Sequence, residues 1–123
     1  MTDRGLHEGL GRSNRLRKRS GFLAVQQSGR RVSGRTLVVY AMPQADRKNE
    51  HVPRLGITVS KKVGNAVVRN RVKRWVRESY RRLLDARLAG TDVVVIAKPV
   101  AATSSYQATV DEIRGLLRRV LPS

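Results

Sequence analysis

The stretch RLGITVSKKVGNAVVRNRVKRWVRESYRRLL, residues 54–84, decides the fold, because in it a strand pattern runs directly into the strongest helix pattern of the chain. Its first seven residues alternate, which predicts a half-buried strand over 54–60. The apolar face of that strand consists of Leu55, Ile57 and Val59. Asn65–Leu88 repeats its apolar residues every three or four positions, as an amphipathic helix does. Asn65 itself is a residue type suited to cap a helix, so the stretch predicts a strand, a basic turn and a helix.

The predicted helix has one apolar stripe and one strongly basic side. The stripe consists of Val68, Val72, Trp75, Val76, Tyr80 and Leu83. Because Trp75 and Tyr80 fall within it, we expect both rings in the core rather than against a nucleotide. Residues 54–82 hold ten lysines and arginines but only one acid, Glu78. Solvated helix faces usually mix both signs, so this imbalance favours a phosphate-binding surface, where each guanidinium fork can bind two oxygens.

Two further strands and a loop are predicted on either side of this stretch. Leu37–Met42 is β-branched and apolar, which predicts a strand that Pro43 ends. We expect this strand to be the antiparallel neighbour of the strand over 54–60. Residues 44–52 are polar and without periodicity, which predicts an exposed loop. Asp92–Lys98 predicts a buried strand.

Helices are predicted near both ends of the chain. Gly21–Gln27 fits a short helix with Ser20 as its N-cap and Gly29 at its end. A last helix begins at Ser104 or Ser105. Its apolar face consists of Tyr106, Val110, Ile113, Leu116, Leu117 and Val120. The order helix, strands, long helix, strand, helix predicts an α/β sandwich with helices packed against one sheet.

The composition indicates a polyanionic partner. The chain has 123 residues, enough for one domain, and 26 Lys and Arg against 9 Asp and Glu give a net charge of +17. Such an excess opposes compaction unless a polyanion neutralises it. Nucleic acid is the leading partner, an anionic membrane surface the competing one, and acidic proteins the third. The chain has no cysteine, which excludes disulfides and thiolate sites and favours a cytoplasmic location.

The sequence contains no recognisable active-site or membrane pattern. The acids are scattered, and His7 and His51 have no acid or metal-ligand spacing around them. Phosphate-binding loops and nucleophile motifs are absent. The longest apolar run, Val93–Ala97, is far shorter than the roughly 20 residues of a membrane-spanning helix, and Met1–Ser13 has no apolar signal segment. We therefore expect a binding protein without catalytic residues or metal ligands.

The segment Lys61–Glu78 closely resembles the signature of the bacterial ribonuclease P protein family. The family pattern KK-x-GNAV-x-RNR-x-KR-x-x-R is matched at every fixed position. The tripeptide RNR alone would carry little weight, but the whole block, preceded by the strand RLGITVS, is highly specific. The resemblance extends over residues 14–121 through Asn14–Lys18, Phe22, Val38–Tyr40 and Asp92–Pro99.

The resemblance also implies a fold. The family folds as an α+β sandwich in the order α-β-β-β-α-β-α around a central mixed sheet, a ribosomal protein S5 domain 2-like fold. Its β-α-β crossover through the signature helix is left-handed, although the general rule for parallel strands favours the right-handed form. Residues 14–123 are expected to form the single domain, and residues 1–13 a flexible basic tail.

The function implied by the resemblance is that of a subunit in an RNA enzyme. A family member binds the catalytic RNA and the 5′ leader of precursor tRNA, and it promotes endonucleolytic removal of the leader. The catalytic groups and the required Mg²⁺ ions belong to the RNA, so no cofactor bound by protein ligands is expected. The resemblance further implies one protein per RNA and no membrane partner.

Two sets of site residues follow from the resemblance. The set expected to contact the catalytic RNA is Arg69, Asn70, Arg71, Lys73, Arg74 and Arg77. The set expected to contact the leader is Phe22, Tyr40, Lys61, Lys62, Asn65, Arg15 and Arg17. From the residues alone, the rings of Phe22 and Tyr40 suit a core position and base stacking equally. Many family members have a second aromatic residue four positions after the first, where this chain has Gln26.

Three other classes of protein share the charge of this chain. A structural RNA-binding protein of the ribosome would have a similar composition. A DNA-binding regulator would place the long helix in a major groove, but the partner helix of a helix-turn-helix is not predicted. A membrane-surface protein is disfavoured, because the apolar stripe of the basic helix is needed to cover the sheet.

Overall fold

The computed structural model describes residues 19–43, 54–83 and 90–120 of the chain. The tail predicted over residues 1–13 and the loop predicted over 44–52 lie outside the described residues. The long helix was predicted to reach Leu88, but it ends at Arg82 with Leu83 as its C-cap.

The described residues form three α-helices, four strands and one short 3-10 helix. In chain order these are α1 (Arg19–Ser28), β1 (Arg30–Ser33), β2 (Leu37–Pro43), β3 (Arg54–Thr58), α2 (Ala66–Arg82), β4 (Thr91–Ala97), the 3-10 helix (Pro99–Thr103) and α3 (Tyr106–Val120). This is the predicted order α-β-β-β-α-β-α, and the fold is a mixed α+β sandwich.

The four strands form one mixed sheet in the order β1-β2-β4-β3. β2 is antiparallel to β1 and to β4, whereas β3 is parallel to β4. The prediction that β2 and β3 are neighbours is therefore wrong, because β4 lies between them. Six of the seven β4 residues are buried, and a strand apolar on both faces is best placed in the centre of a sheet. The more polar β3 takes an edge.

One face of the sheet is closed by α2 and α3. Its core gathers the inward residues of three strands, the buried stripe of α2 and the apolar face of α3. Val72, Val76 and Tyr80 are at most 1% exposed, and Val68, Trp75 and Leu83 pack against the same core while partly exposed. The predicted stripe of the long helix is thus confirmed, and we call this side the closed face.

The other face of the sheet is covered by α1 alone among the described elements. Val25 of α1 and Val94 of β4 are fully buried there. Around them lie four partly buried apolar residues, Phe22, Tyr40, Met42 and Ile96. Because one short helix cannot cover a four-stranded sheet, several side chains on this side keep contact with solvent. We call this side the open face.

The helix starts and ends follow the predicted caps with one exception. The Asn65 side chain accepts a hydrogen bond from the Val68 amide at 3.0 Å, and the Ser105 hydroxyl accepts one from the Ala108 amide at 3.1 Å. At the end of α1, the Gly29 amide donates to the Val25 carbonyl at 2.8 Å. Ser20 does not cap α1 as predicted, because the helix already begins at Arg19. Arginine has a high helix propensity, so the basic residue before Ser20 extends the helix.

Two carboxylates fasten distant parts of the chain to each other. Oε2 of Glu112 on α3 accepts hydrogen bonds from the Thr36 and Leu37 amides at 2.9 Å, and its Oε1 accepts one from the Thr36 hydroxyl at 2.5 Å. Asp92 of β4, 1% exposed, accepts a two-pronged hydrogen bond from Arg54 of β3 at 2.9 and 2.8 Å. The first contact joins α3 to the start of β2, and the second joins the parallel strands of the sheet.

Candidate RNA-binding surface

The basic residues of α2 lie on the side of the helix that points away from the sheet, toward solvent. Asn70, Arg71 and Arg74 are exposed, and Arg69, Lys73 and Arg77 are partly buried. At 100° per residue, the partly buried three share one flank of the buried stripe, while Arg71 turns toward the other flank. All six predicted contacts for the catalytic RNA therefore lie on the outer surface of one helix, which we call the motif surface.

Two residues of the motif surface are held by local contacts. Nε of Arg69 donates a hydrogen bond to the Gly64 carbonyl at 3.1 Å, which ties this side chain to the turn before the helix. The guanidinium carbon of Arg71 lies 5.5 Å from the centre of the Trp75 ring. Such a cation–π contact orders the arginine without neutralising it. The side chains are thereby partly organised before any phosphate binds.

Not every basic residue in the 54–82 stretch belongs to the motif surface. Arg54 is committed to Asp92 inside the fold, and Arg81 forms an ion pair with Glu78 one turn earlier in α2. Counting charges along the sequence grouped these two arginines with the others. In the structure, both arginines are instead paired with carboxylates. The pair of Arg54 could not be predicted from a local pattern, because Asp92 lies 38 positions away in the chain.

The turn between β3 and α2 carries the two lysines predicted for the leader. Lys61 and Lys62 are exposed, while Val63 between them and the helix is 6% exposed and anchors the turn in the core. The Lys62 amide donates to the Ser60 hydroxyl at 3.3 Å. A Cβ at Gly64 would lie 2.9 Å from the Val68 side chain, so this glycine allows the turn to pack closely against α2. Close packing explains Gly64 without a phosphate contact.

A second surface lies on the open face, between α1 and the strands. Phe22 of α1 and Tyr40 of β2 pack against the same small cluster, and both remain partly exposed. Gln26 is one helical turn after Phe22 and is also partly buried. From the sequence, these rings suited a core position and base stacking equally. In the structure they contact the core and also reach solvent. We call this surface the cleft.

One cleft residue was missed by the sequence analysis. Nε of Arg31 on β1 donates a hydrogen bond to the Tyr40 hydroxyl at 3.3 Å, which places an exposed guanidinium beside a ring of the cleft. The pairing of Arg31 with Tyr40 in the β1–β2 register brings the two together. No strand was predicted over Arg30–Ser33, so the sequence offered no reason to associate these residues.

The remaining predicted leader contacts differ in what the structure says of them. Asn65 is exposed, and its side-chain oxygen serves as the N-cap of α2. Its amide nitrogen is a hydrogen-bond donor that such capping does not require. Arg15 and Arg17 lie outside the described residues.

The described residues offer little to other classes of site. Among residues 19–43, 54–83 and 90–120, no three His, Cys, Asp or Glu side chains come together as a metal site would require. Within the same ranges, no helix is long and apolar enough to cross a membrane.

Comparison with known proteins supports the resemblance over nearly the whole chain. A family model described as Ribonuclease P matches residues 10–121. The chain is 38% identical over 108 residues to the ribonuclease P protein component of Bacillus cereus strain B4264, a match that covers 88% of this chain and 91% of that protein. It is likewise 38% identical over 108 residues to the ribonuclease P protein component of Alkaliphilus metalliredigens, covering 88% and 94% of the two chains.

Solved structures give the same result for the fold. The RNase P protein of Staphylococcus aureus superposes with a TM-score of 0.76 at 31% identity, covering 89% of this chain and 98% of that one. The RNase P protein of Thermotoga maritima superposes with a TM-score of 0.74 at 31% identity, covering 88% and 98%. With the signature block on α2 and this match in fold, the chain belongs to the bacterial ribonuclease P protein family.

Proposed function

We propose that this chain is the protein subunit of ribonuclease P and takes part in tRNA processing by binding the catalytic RNA and the 5′ leader of precursor tRNA. The observation that carries the proposal is the signature block on α2, which presents its Arg-Asn-Arg residues on a rigid, solvent-facing helix. Side chains on a rigid element keep the spacing that successive phosphates require. Family membership supplies the identity of the RNA.

The motif surface is proposed as the contact with the catalytic RNA. Arg71 and Arg74 are exposed on the outer side of α2, and guanidinium groups bind phosphate oxygens in pairs. Phosphate contacts of this kind supply affinity and orientation but little base specificity. That suits a protein that binds one folded RNA by its shape.

The cleft is proposed as the contact with the leader. The partly exposed rings of Phe22 and Tyr40 lie on the same face of the sheet, and aromatic faces stack on bases of any sequence. Arg31 beside Tyr40 adds a positive charge to this surface. Lys61 and Lys62 are exposed on the turn that links β3 to α2, and their charges are proposed to contact the phosphates of the leader. A strand of single-stranded RNA with varied sequence is the ligand that such a surface fits.

The chemistry of cleavage is proposed to belong to the RNA with its magnesium ions. Two carboxylates of the described residues are already committed inside the fold, Asp92 to Arg54 and Glu112 to backbone amides. Carboxylate oxygens are the protein ligands that Mg²⁺ prefers, so these two are poorly placed to hold it. We propose one protein per RNA and action in the cytoplasm, where precursor tRNA is processed.

The proposal is tested by reconstitution. The purified chain is mixed with bacterial ribonuclease P RNA, and cleavage of a precursor tRNA is followed at low magnesium. We expect the chain to restore cleavage that the RNA alone does not perform under these conditions, and to bind the isolated leader only weakly on its own. An equal amount of another small basic protein serves as the control. If the chain and the control protein have the same effect on cleavage, the proposal is wrong.

A further inference from the structure

An open groove separates the outer surface of α2 from the start of α3. It has a volume of about 540 Å³ and is lined by Arg74, Trp75, Glu78 and Tyr106. Sites for small ligands commonly have about 300–1,000 Å³, so the groove has room for one nucleotide. It lies on the helical layer of the closed face, and the sheet separates it from the cleft.

The two aromatic rings of the groove are each accompanied by an arginine. The Arg71 guanidinium carbon is 5.5 Å from the centre of the Trp75 ring, and that of Arg82 is 5.9 Å from the centre of the Tyr106 ring. NH1 of Arg82 also donates a hydrogen bond to the Tyr106 hydroxyl at 3.2 Å. This hydrogen bond raises the pKa of Arg82 above its ordinary value. Both rings are partly exposed, so part of each ring is within reach of a ligand.

The side chains of the groove suit a nucleotide better than they suit a phosphate group alone or an apolar ligand. A phosphate group alone would require the arginines but not the two rings. An apolar ligand would use the rings but would lie against the Arg74 guanidinium that lines the groove, with those of Arg71 and Arg82 beside the two rings. A nucleobase stacks on aromatic rings and on guanidinium planes alike, and its phosphate accepts hydrogen bonds from arginine. Glu78, already paired with Arg81, adds an acceptor for the amino group of a base.

We propose that this groove binds one unpaired nucleotide of the partner RNA, with its base against Trp75 and Tyr106 and its phosphate at Arg71 and Arg74. The inference rests on the proposed function, because Arg71 and Arg74 belong to the motif surface and the nucleotide would come from the RNA bound there. It adds a contact with a base to the motif surface, which is otherwise proposed to bind only phosphates. The position facing this groove in the RNA is therefore single-stranded or bulged, since a paired base cannot leave its stack without an energy penalty.

The chain carries its own reporter for this site, because Trp75 is its single tryptophan. A base that stacks on the indole ring quenches its fluorescence, whereas a phosphate that binds elsewhere on the protein leaves it unchanged. The full chain is titrated with a single-stranded hexamer of adenosine, with an abasic ribose-phosphate hexamer of the same charge, and with an acidic hexapeptide. We expect saturable quenching by the adenosine hexamer and little change with the other two.

Two variants and two controls localise the effect. Tyr106→Leu keeps an apolar side chain but removes one ring, and we expect it to weaken the quenching midpoint about tenfold. Tyr106→Phe keeps the ring and should bind like the parent chain. Arg118→Ala removes an exposed charge elsewhere on α3, and Leu23→Ala removes an exposed apolar side chain of α1. Neither should move the midpoint by as much as Tyr106→Leu, and circular dichroism checks that each variant is folded.

Three results would overturn the inference. One is unchanged Trp75 emission while anisotropy of a labelled adenosine hexamer shows that it has bound. The second is equal quenching by the abasic hexamer, and the third is equal quenching by the acidic peptide, which would make the groove a site for a protein partner.

Reconstituted cleavage is measured separately. If cleavage is restored while Trp75 emission does not respond to the adenosine hexamer or to the catalytic RNA, the groove inference fails and the proposed function stands. If the quenching is seen without restored cleavage, the proposed function fails instead.

Discussion

The two faces of the sheet carry similar apolar residues but differ in how completely helices cover them. On the closed face, two helices cover the strands, and the centre of that core is buried, with partly buried residues such as Trp75 only at its margin. On the open face, α1 is the only described helix, and four apolar residues around Val25 and Val94 stay partly exposed. A part-buried ion pair, between Arg54 and the buried Asp92, joins the strands β3 and β4. The closed face thus stabilises the protein, while the open face keeps apolar surface that a ligand can use.

The difference teaches where function can be read from burial. A fully buried aromatic ring contacts only other parts of the fold, as for Tyr80, which is 0% exposed. Partial burial fixes the position of a ring and leaves one side available, as for Phe22 and Tyr40. Contiguous apolar surface that stays exposed on a folded protein commonly marks a site of interaction. Partly buried rings are therefore the better candidates for contacts with RNA.

The largest effect is expected from the same substitution made on the two faces. Ile113→Ala removes a side chain that is 0% exposed in the closed core, and we expect a loss of about 2–5 kcal/mol in the free energy of unfolding. Ile96→Ala acts on the open face, where the side chain is partly exposed, so we expect about 1–2 kcal/mol. Urea unfolding followed by circular dichroism measures both. Equal losses would remove the distinction between the two faces.

A smaller effect, on binding rather than stability, is expected in the cleft. Phe22→Leu and Tyr40→Leu keep apolar volume but remove a ring, so we expect each to weaken binding of a precursor tRNA leader to the reconstituted complex about tenfold. The free energy of unfolding should change by less than about 1.5 kcal/mol. Leu23→Ala, next to Phe22 but 40% exposed, is the control. If Leu23→Ala weakens leader binding as much as Phe22→Leu, the rings have no special part.

The smallest effect is expected on the motif surface, at the outer side of α2. Arg74 is exposed on α2, and we expect Arg74→Ala to lower the slope of RNA affinity against salt by about one counterion, with unfolding unchanged. Arg118→Ala removes an equal charge from an exposed position on α3 and should leave the slope nearly as it is. The slopes come from binding titrations of the catalytic RNA over a range of potassium chloride. An identical slope in the Arg74→Ala variant and the parent would argue against a phosphate contact at Arg74.

The sequence predicted those elements whose pattern is strong within a single segment. The stripe of α2, its cap at Asn65, the apolar face of α3 and the buried β4 all follow from local periodicity, and all are present. β1 was not located, because Arg30–Ser33 has one apolar residue and no alternation. It becomes a strand by pairing with β2. The neighbours of β3 were predicted wrongly for the same reason, since pairing depends on the whole sheet.

The site was predictable to the extent that it follows from the signature block. The six motif residues are on one helix surface because they are close in sequence. The role of Arg54 was not predictable, because its partner Asp92 is on another strand. Arg31 and the groove at Tyr106 were missed likewise, since each depends on a contact between separate elements. Local pattern identifies which residues face outward, and tertiary contact decides which of them act together.

The parallel pairing of β3 with β4 has a consequence for how the chain folds. The hydrogen bonds between Arg54 and Asp92 close a loop of 38 positions that contains the whole of α2. Closing a loop of that length has an entropic cost that local contacts do not have, and contacts between distant residues form slowly. We expect the antiparallel hairpin of β1 and β2 to assemble earlier than this pair. Both pairings of β4 link residues that are distant in the chain, so β4 and its partner β3 would join the sheet after this hairpin, and the basic helix would become rigid only at that late step.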